Sequence, residues 1–240
     1  MDAYFCTCAV KCVMCAGNTL YGDLPEDAAC IVASMLHKQT YKKGEVLFRE
    51  GDTCSHLFAL SVGQVKLSYY MPDGREQIIG VGIPGYLLGF DTLSDETYTY
   101  TASALSKAHV CMIRHRDLMA KLKSHQDVTI RILDALNNEL KQTRELLRII
   151  GGKTATEKTA SFILSVVPNN DPGECKFDMP FSRHEIADFL GLSMETVSRV
   201  MAELKRAGII HAPRGTMEIR DASRLRDVAS GTGNPLGVDD

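Results

Sequence analysis

Residues 182–205 read SRHEIADFLGLSMETVSRVMAELK, and they decide the fold of the C-terminal part of the chain. Ser182 and Glu185 have the spacing of a capping box, which predicts that a helix begins there. Gly191 suits a chain reversal because glycine tolerates positive φ, and Ser193 is a good N-cap for a second helix. The stretch therefore predicts two short helices joined by a tight turn.

The second predicted helix has one apolar face and one polar face. Helical spacing brings four apolar side chains together: Val197, Val200, Met201 and Leu204. Glu195, Ser198 and Arg199 share the opposite face, and their functional groups are those that read base edges in a DNA major groove. The plainer interpretation is a solvated face with a Glu195–Arg199 ion pair. This pattern alone does not choose between the two.

The residues after the second helix favour DNA binding. Residues 209–211 and 217–219 have the composition of two short strands, and Arg214 and Gly215 form a turn signal between them. Two helices followed by a hairpin predict a winged helix-turn-helix, in which the start of the second helix contacts base edges.

This stretch resembles a known family. The run ETVSR at 195–199, preceded by ADFLGLS at 187–193, is similar to the recognition motif of the CRP/FNR transcription regulators, above all their oxygen-responsive FNR branch. The resemblance extends over nearly the whole chain. It implies a homodimer that works with RNA polymerase and binds double-stranded DNA at palindromic, TTGAT-like half-sites. It places Arg199 on guanine and Glu195 and Ser198 on neighbouring bases.

Length, composition and charge limit the number of domains and the class of protein. A chain of 240 residues can hold two modest domains, and its 45% hydrophobic and 24% charged residues are ordinary for a soluble protein. The formal net charge is −3, so DNA contact must come from a local basic surface. No apolar run is long enough for a membrane span and no signal peptide is evident, so we expect a cytoplasmic protein.

Four of the eight cysteines fall within ten residues: Cys6, Cys8, Cys12 and Cys15. The others are Cys30, Cys54, Cys111 and Cys175. In a reducing compartment, such crowding indicates metal or redox chemistry more than disulfides. An iron–sulfur cluster and a zinc site would each need about four such ligands, and a tail with incidental thiols is the third interpretation.

The family resemblance implies a ligand set. FNR-type regulators hold an oxygen-labile [4Fe-4S] cluster with three N-terminal cysteines and one from the β-domain. Cys12 and Cys15 resemble the first two ligands and Cys111 resembles the distant one, whereas Tyr21 stands where the next N-terminal cysteine is usual. We therefore expect a [4Fe-4S] cluster on Cys8, Cys12, Cys15 and Cys111. Cys6 or Cys30 could replace Cys8.

Two other functions stay open from the sequence. A regulator of the same family could sense thiols, zinc or nitric oxide without an oxygen-labile cluster. A Cys-rich metalloenzyme is the alternative from another class, and it is disfavoured because no His/Asp/Glu constellation accompanies the cysteines. We expect a non-enzymatic protein.

Between residues 40 and 113, short β-rich runs alternate with glycine turns, which predicts a sandwich or jelly roll. The order of these runs resembles the β-roll of the same family, preceded by a helical stretch at residues 25–37. Many relatives bind a cyclic nucleotide there through an arginine. Residues 85–105 contain no Lys or Arg, and a buried phosphate without a cation would be poorly compensated. The sequence therefore predicts no cyclic nucleotide.

Residues 116–150 contain no Gly or Pro and predict one long helix. Six residues on it follow a 3-4 spacing typical of a two-stranded coiled coil: Leu133, Leu136, Leu140, Thr143, Leu147 and Ile150. We call this set the dimer stripe. The alternative is a single amphipathic helix packed on its own β-roll. Gly151 and Gly152 form a hinge, and Thr154 and Glu157 form a second capping box.

These elements give an α+β fold: a β-roll of the cyclic-nucleotide-binding type, a long dimerisation helix and a winged helix-turn-helix. The predicted segments are 1–22 for the cluster, 23–115 for the β-roll, 116–150 for the helix, 151–229 for the DNA-binding domain and 230–240 for a disordered tail. The resemblance implies that an intact cluster favours the dimer and DNA binding, and that oxygen dismantles the cluster and releases DNA.

Overall fold

The computed structural model describes residues 34–92, 97–167, 175–213 and 215–232. The N-terminal cysteines Cys6, Cys8, Cys12, Cys15 and Cys30 lie outside the described residues, as does Tyr21. The described residues divide into two compact units, one from those between 34 and 69 and between 80 and 141, and the other from those between 70 and 79 and between 142 and 232. Among the described residues, no helix combines the length and the apolar character that a membrane crossing requires.

Among the described residues, two four-stranded sheets form the β-roll, which confirms the predicted fold. One sheet has the order β1-β8-β3-β6 and the other β2-β7-β4-β5. The strands are β1 His37–Tyr41, β2 Val46–Phe48, β3 His56–Val62, β4 Val65–Tyr70, β5 Glu76–Gly82, β6 Leu87–Leu88, β7 Thr101–Ala104 and β8 Ala108–Arg114. The predicted turn between β4 and β5 is present, with Gly74 at φ 83°. His37, assigned to a helix from the sequence, instead begins β1.

The core of the roll lies between the sheets. The Phe48 ring of β2 stacks on Phe58 of β3 at 5.4 Å between ring centres, and on Tyr98 at 4.0 Å. Because successive side chains of a strand point to opposite faces, Phe58 fixes which face of its sheet is the inner one.

The predicted single helix over 116–150 is wrong in one respect, because the structure has two helices. Helix α1 is His115–Leu122 and helix α2 is Gln126–Gly152. Polar side chains at the junction bond to helical carbonyls: Ser124 Oγ donates to the Lys121 carbonyl at 3.3 Å, and Thr129 Oγ1 donates to the Leu122 carbonyl at 2.9 Å. Serine and threonine compete with the helix in this way without any glycine or proline.

Most of the dimer stripe is exposed on α2. Four of its apolar members keep between 38% and 67% of their surface in solvent: Leu133, Leu140, Leu147 and Ile150. Leu136 differs, since it is partly buried against the core of the roll. Val128 and Ile132 are fully buried in that core. One face of α2 therefore packs on its own β-roll, and a second apolar face stays exposed.

The second unit holds four more helices and a small sheet. The helices are α3 Ala155–Ser165, α4 Arg183–Leu190, α5 Met194–Arg206 and α6 Ala222–Ser230, and the strands are β9 Cys175–Asp178, β10 Ile210–His211 and β11 Thr216–Ile219. Phe162 of α3 lies in the core of this unit, where its ring centre is 5.4 Å from that of Phe181 and 5.4 Å from that of Phe189.

Two sequence predictions at the end of this unit need correction. The sheet has the order β10-β11-β9, and its third strand, β9, was not predicted. The predicted disordered tail begins too early: Ser230 ends α6, Gly231 caps it in the left-handed region at φ 68°, and the Thr232 amide donates to the Asp227 carbonyl at 3.1 Å. Residues 233–240 lie outside the described residues.

Candidate nucleic-acid interface

The turn between α4 and α5 is built as the sequence predicts. Ser182 Oγ accepts from the Glu185 amide at 3.1 Å, and the Glu185 carboxylate accepts in return from the Ser182 amide at 2.8 Å. Gly191 ends α4 at φ 63°, a conformation that costs other residues free energy. Ser193 then caps α5 by accepting from the Thr196 amide at 3.1 Å. The angle between the two helices is therefore set by local hydrogen bonds and one glycine.

The inner face of α5 fixes how the helix is rotated. Its four predicted apolar residues are each at most 2% exposed: Val197, Val200, Met201 and Leu204. Because this face is fully buried, the helix cannot turn about its axis without exposing it to water. The polar face is held outward as a consequence.

Glu195, Ser198 and Arg199 are all exposed on that outer face, within a single helical turn at the start of α5. Within the described part of the chain, Glu195 and Arg199 form no ion pair with each other, so the structure has the solvated face of the plainer interpretation without its ion pair. An exposed guanidinium and an exposed carboxylate keep their hydrogen-bonding capacity for a ligand.

One neighbouring residue was missed from the sequence. Met194, the first residue of α5, is 54% exposed beside Glu195. An exposed apolar side chain at the tip of this helix has the chemistry to contact a thymine methyl group. Its exposure could not be inferred from helical spacing, because Met194 lies three residues before Val197 and seven before Met201, on the side of the buried stripe.

Basic side chains are exposed at the far end of α5 and on β9. Lys205 and Arg206 are exposed at the C-terminal end of α5, and Lys176 is exposed on β9. Arg183, in the first turn of α4, is partly buried, and burial lowers the pKa of its guanidinium. Exposed cations of this kind suit phosphate contacts, which position a protein without reading sequence.

The hairpin behind α5 completes the winged arrangement. Strands β10 and β11 pair Ile210 with Ile219 and His211 with Glu218. Arg224 Nη1 on α6 donates to the Ala207 carbonyl at 3.0 Å, which ties α6 to the C-terminal end of α5.

Cys111 is the one predicted cluster ligand among the described residues. It lies on β8, opposite Ala59 on β3 and Lys38 on β1. Phe58 and its partner Met112 belong to the inner face of the sheet, so Ala59 and Cys111 belong to the outer face. The Cys111 side chain is buried, with 2% of its surface exposed.

No group of three His, Cys, Asp or Glu residues that could hold a metal occurs within residues 34–92, 97–167, 175–213 and 215–232. The other predicted ligands, Cys8, Cys12 and Cys15, precede these ranges. Among the described residues, Cys111 is held in the middle strand of three by its pairing with β1 and β3.

Comparisons with known proteins point in one direction. The chain matches the family model described as "Cyclic nucleotide-binding domain" over residues 38–125, and the model described as "Crp-like helix-turn-helix domain" over residues 157–228. These two matches coincide with the β-roll and with the helix-turn-helix unit.

Similar curated proteins are regulators. The chain is 32% identical to the transcriptional activator protein FnrA of Stutzerimonas stutzeri over 79% of each chain. It is 31% identical to the nitrogen fixation regulation protein FixK of Bradyrhizobium diazoefficiens, covering 79% of this chain and 81% of that one. It is 28% identical to the electron transport regulator A of Shewanella oneidensis, covering 92% and 91%.

Solved structures share the fold. FixK2 from Bradyrhizobium japonicum superposes with a TM-score of 0.70 at 25% identity, over 80% of this chain and 96% of that one. A CRP-family transcriptional regulator from Thermus thermophilus gives a TM-score of 0.67 at 22% identity, over 82% and 99%.

Proposed function

Because the chain belongs to the CRP/FNR family of transcription regulators, we propose that it is an FNR-type regulator, a homodimer that binds a palindromic DNA site and senses oxygen through an iron–sulfur cluster. The observation on which the proposal chiefly rests is the outer face of α5, where exposed Glu195, Ser198 and Arg199 stand on a helix whose rotation is fixed. The family is one of DNA-binding regulators and not of enzymes.

The proposed contacts follow from the chemistry of these three side chains. Arg199 bonds guanine O6 and N7, Glu195 accepts from a cytosine amine, and Ser198 contacts an adjacent base. TTGAT-like half-sites contain a guanine for Arg199 and, on the complementary strand, a cytosine for Glu195.

A second copy of the chain is the proposed occupant of the dimer stripe on α2. Exposed leucines at 133, 140 and 147 would be costly in a lone helix, and a parallel pair of helices would bury them. A two-fold axis through this pair also presents two recognition helices to a palindrome.

We propose that Cys8, Cys12, Cys15 and Cys111 hold a [4Fe-4S] cluster. A bound cluster supplies reactivity toward oxygen, which the thiols alone lack in this form. This chain contributes the rigid thiol of Cys111, buried on the outer face of the β1-β8-β3-β6 sheet, and the crowded thiols of its N-terminal segment. Relatives named as transcriptional activators support activation, with RNA polymerase as the partner, in the cytoplasm.

A regulator of the same family that senses another signal is the second candidate. It is favoured by Tyr21, which occupies the position where the family pattern has a cysteine. Iron and sulfide analysis of anaerobically purified protein separates the two. Equal amounts of iron and sulfide support the cluster, and zinc or no metal supports the second candidate.

We also propose that the β-roll binds no cyclic nucleotide. The loop at residues 85–92 presents Asp91, and helix α2 presents Glu139, to the same tyrosine, Tyr86. Carboxyl groups repel a phosphate, and residues 85–105 offer it no lysine or arginine. Calorimetry with cyclic AMP at micromolar levels tests this, and saturable binding would overturn it.

The decisive experiment uses full-length protein purified without air. Its affinity for a TTGAT palindrome and its sedimentation are measured before and after exposure to air. We expect a dimer bound to DNA before exposure and a monomer with weak binding afterwards. Single Cys→Ser variants at positions 6, 8 and 30 then identify the ligand that accompanies Cys12, Cys15 and Cys111. Retention of the full cluster in Cys8→Ser would exclude Cys8.

A further inference from the structure

The loop at residues 85–92, which contains the short strand β6, forms a fixed platform on the β-roll. The Leu60 amide donates to the Tyr86 carbonyl at 2.9 Å, so Tyr86 is attached to the central strand β3. The Gly89 amide donates to the Tyr100 hydroxyl at 2.9 Å. A Cβ on Gly89, at φ 77°, would lie 3.1 Å from the Tyr98 ring, so the loop is packed closely as well. The side chains on this platform therefore have little freedom to move.

Glu139 is the group that α2 presents to this platform. It continues the stripe of Val128, Ile132 and Leu136, which packs on the roll, at helical spacing. It is only partly exposed, and its carboxylate accepts a hydrogen bond from the Tyr86 hydroxyl. The Glu139 carboxyl thus lies at the end of the apolar contact that Val128, Ile132 and Leu136 of α2 make with the β-roll.

The groups that face Glu139 are other acids. Tyr86 and Asp91 come from the loop, and Tyr100 follows from the segment before β7. Asp91 Oδ2 accepts from Thr99 Oγ1 at 2.9 Å, which holds its charge in place. Burial raises the pKa of Tyr86 well above its usual range, so its hydroxyl stays protonated and remains the donor.

We propose that the Glu139 carboxyl is a proton-binding site that couples the β-roll to the dimer stripe of α2. This inference rests on the homodimer of the proposed function. Glu139 lies one helical turn from Leu136, a member of the stripe that also packs on the roll. Ionisation places a charge beside the contact of Leu136 with the roll, and protonation removes it. Protonation therefore favours the state in which α2 is held both by its own roll and by a second copy.

The sign of the effect follows from linkage. Burial raises the pKa of Glu139 to about 7, the Tyr86 hydrogen bond opposes that rise, and the charge of Asp91 adds to it. The folded chain thus binds this proton more tightly than the unfolded chain does, so stability falls as pH rises from the ordinary glutamate range through about 7. Association that removes more water from the carboxyl raises its pKa further, so dimerisation weakens as pH rises through and above that value.

The test measures the titration of the Glu139 carboxyl and the dissociation of the dimer in separate experiments. Full-length anaerobic protein carrying ¹³C-labelled glutamate is titrated by NMR, and the resonance missing from Glu139→Gln identifies Glu139. We expect a midpoint near 7, and a higher midpoint in Tyr86→Phe because the hydrogen bond to the carboxylate is lost. Sedimentation should show a dimer dissociation constant that rises between about pH 6 and about pH 8, by at most roughly tenfold per unit of pKa shift for each of the two Glu139 carboxyls in the dimer.

A matched control uses the same helix. Glu145 is exposed and paired with Arg148 at 2.6 Å, so Glu145→Gln should keep the pH dependence that Glu139→Gln loses. A Glu139 midpoint in the ordinary glutamate range, or an unchanged pH slope in Glu139→Gln, would overturn the inference. A chain that stays monomeric at every pH while Glu139 titrates near 7 would overturn the proposed homodimer and the coupling with it.

Discussion

Arg199 is the residue on which base recognition chiefly depends. It is exposed on α5, outside the buried stripe, so Arg199→Ala should leave the fold intact. Loss of a guanidinium that contacts two guanine atoms should cost about 1–3 kcal/mol of discrimination at one position of the half-site. Fluorescence anisotropy with TTGAT duplexes and with duplexes changed at the guanine measures this.

Arg206 provides the control for that prediction. It is exposed at the far end of the same helix, where a phosphate contact is expected. Arg206→Ala should weaken binding to both duplexes alike and reduce its salt dependence. Equal discrimination in wild type and Arg199→Ala would show that another residue reads the guanine.

Sequence could identify the residues whose role is local. Ser182, Gly191 and Ser193 act on groups within a few positions of themselves, so their spacing was sufficient to predict them. Glu139 could not be found in this way, because its environment comes from Tyr86 and Asp91, which lie about fifty residues earlier in the chain. Helical periodicity marks it only as one polar position in a long helix.

At the scale of the element, the break between α1 and α2 also depends on contacts that helical periodicity does not show. Sequence shows no glycine or proline there, and the helix is interrupted by side-chain hydrogen bonds from Ser124 and Thr129. Strand β9 was missed because only Cys175–Asp178 forms it, and a strand of that length has too few alternations to recognise. Pairing with β11 at all four positions stabilises it instead.

The junction between α2 and α3 depends on one lysine. Lys153 Nζ donates to Ser161 Oγ at 2.7 Å and to the Ala229 carbonyl at 2.8 Å, so it joins the start of α3 to the end of α6. Lys153→Met keeps the aliphatic stem and leaves that carbonyl without its charged donor. We expect a loss of about 1–3 kcal/mol in the free energy of unfolding, measured with denaturant. Lys158→Met on α3, outside these bonds, should have a smaller effect.

The dimer stripe includes one polar residue, Thr143, which is exposed on α2. A leucine there would add apolar area to the proposed helix pair, so Thr143→Leu should strengthen the dimer by about 1 kcal/mol or more. Sedimentation in air should show a larger dimer fraction than wild type. Lys141→Leu adds a similar apolar side chain off the stripe and should not have this effect, whereas equal gains from both variants would argue for nonspecific association.

At the scale of the whole molecule, the proposed switch connects the N-terminal cysteines to the recognition helix through dimerisation. If that connection is real, Cys111→Ser prepared without air should lack iron, remain monomeric and bind a TTGAT palindrome weakly, although its β-roll and α5 are intact. Cys54→Ser is the matched control, because Cys54 is also buried in the same roll and its thiol is hydrogen-bonded to Thr92 Oγ1 at 3.0 Å. Combining Cys111→Ser with Thr143→Leu should restore much of the dimer and of the DNA affinity without restoring iron. That result would show that the metal centre acts through dimerisation. A metal-free wild type that binds DNA equally well with and without air would contradict the switch.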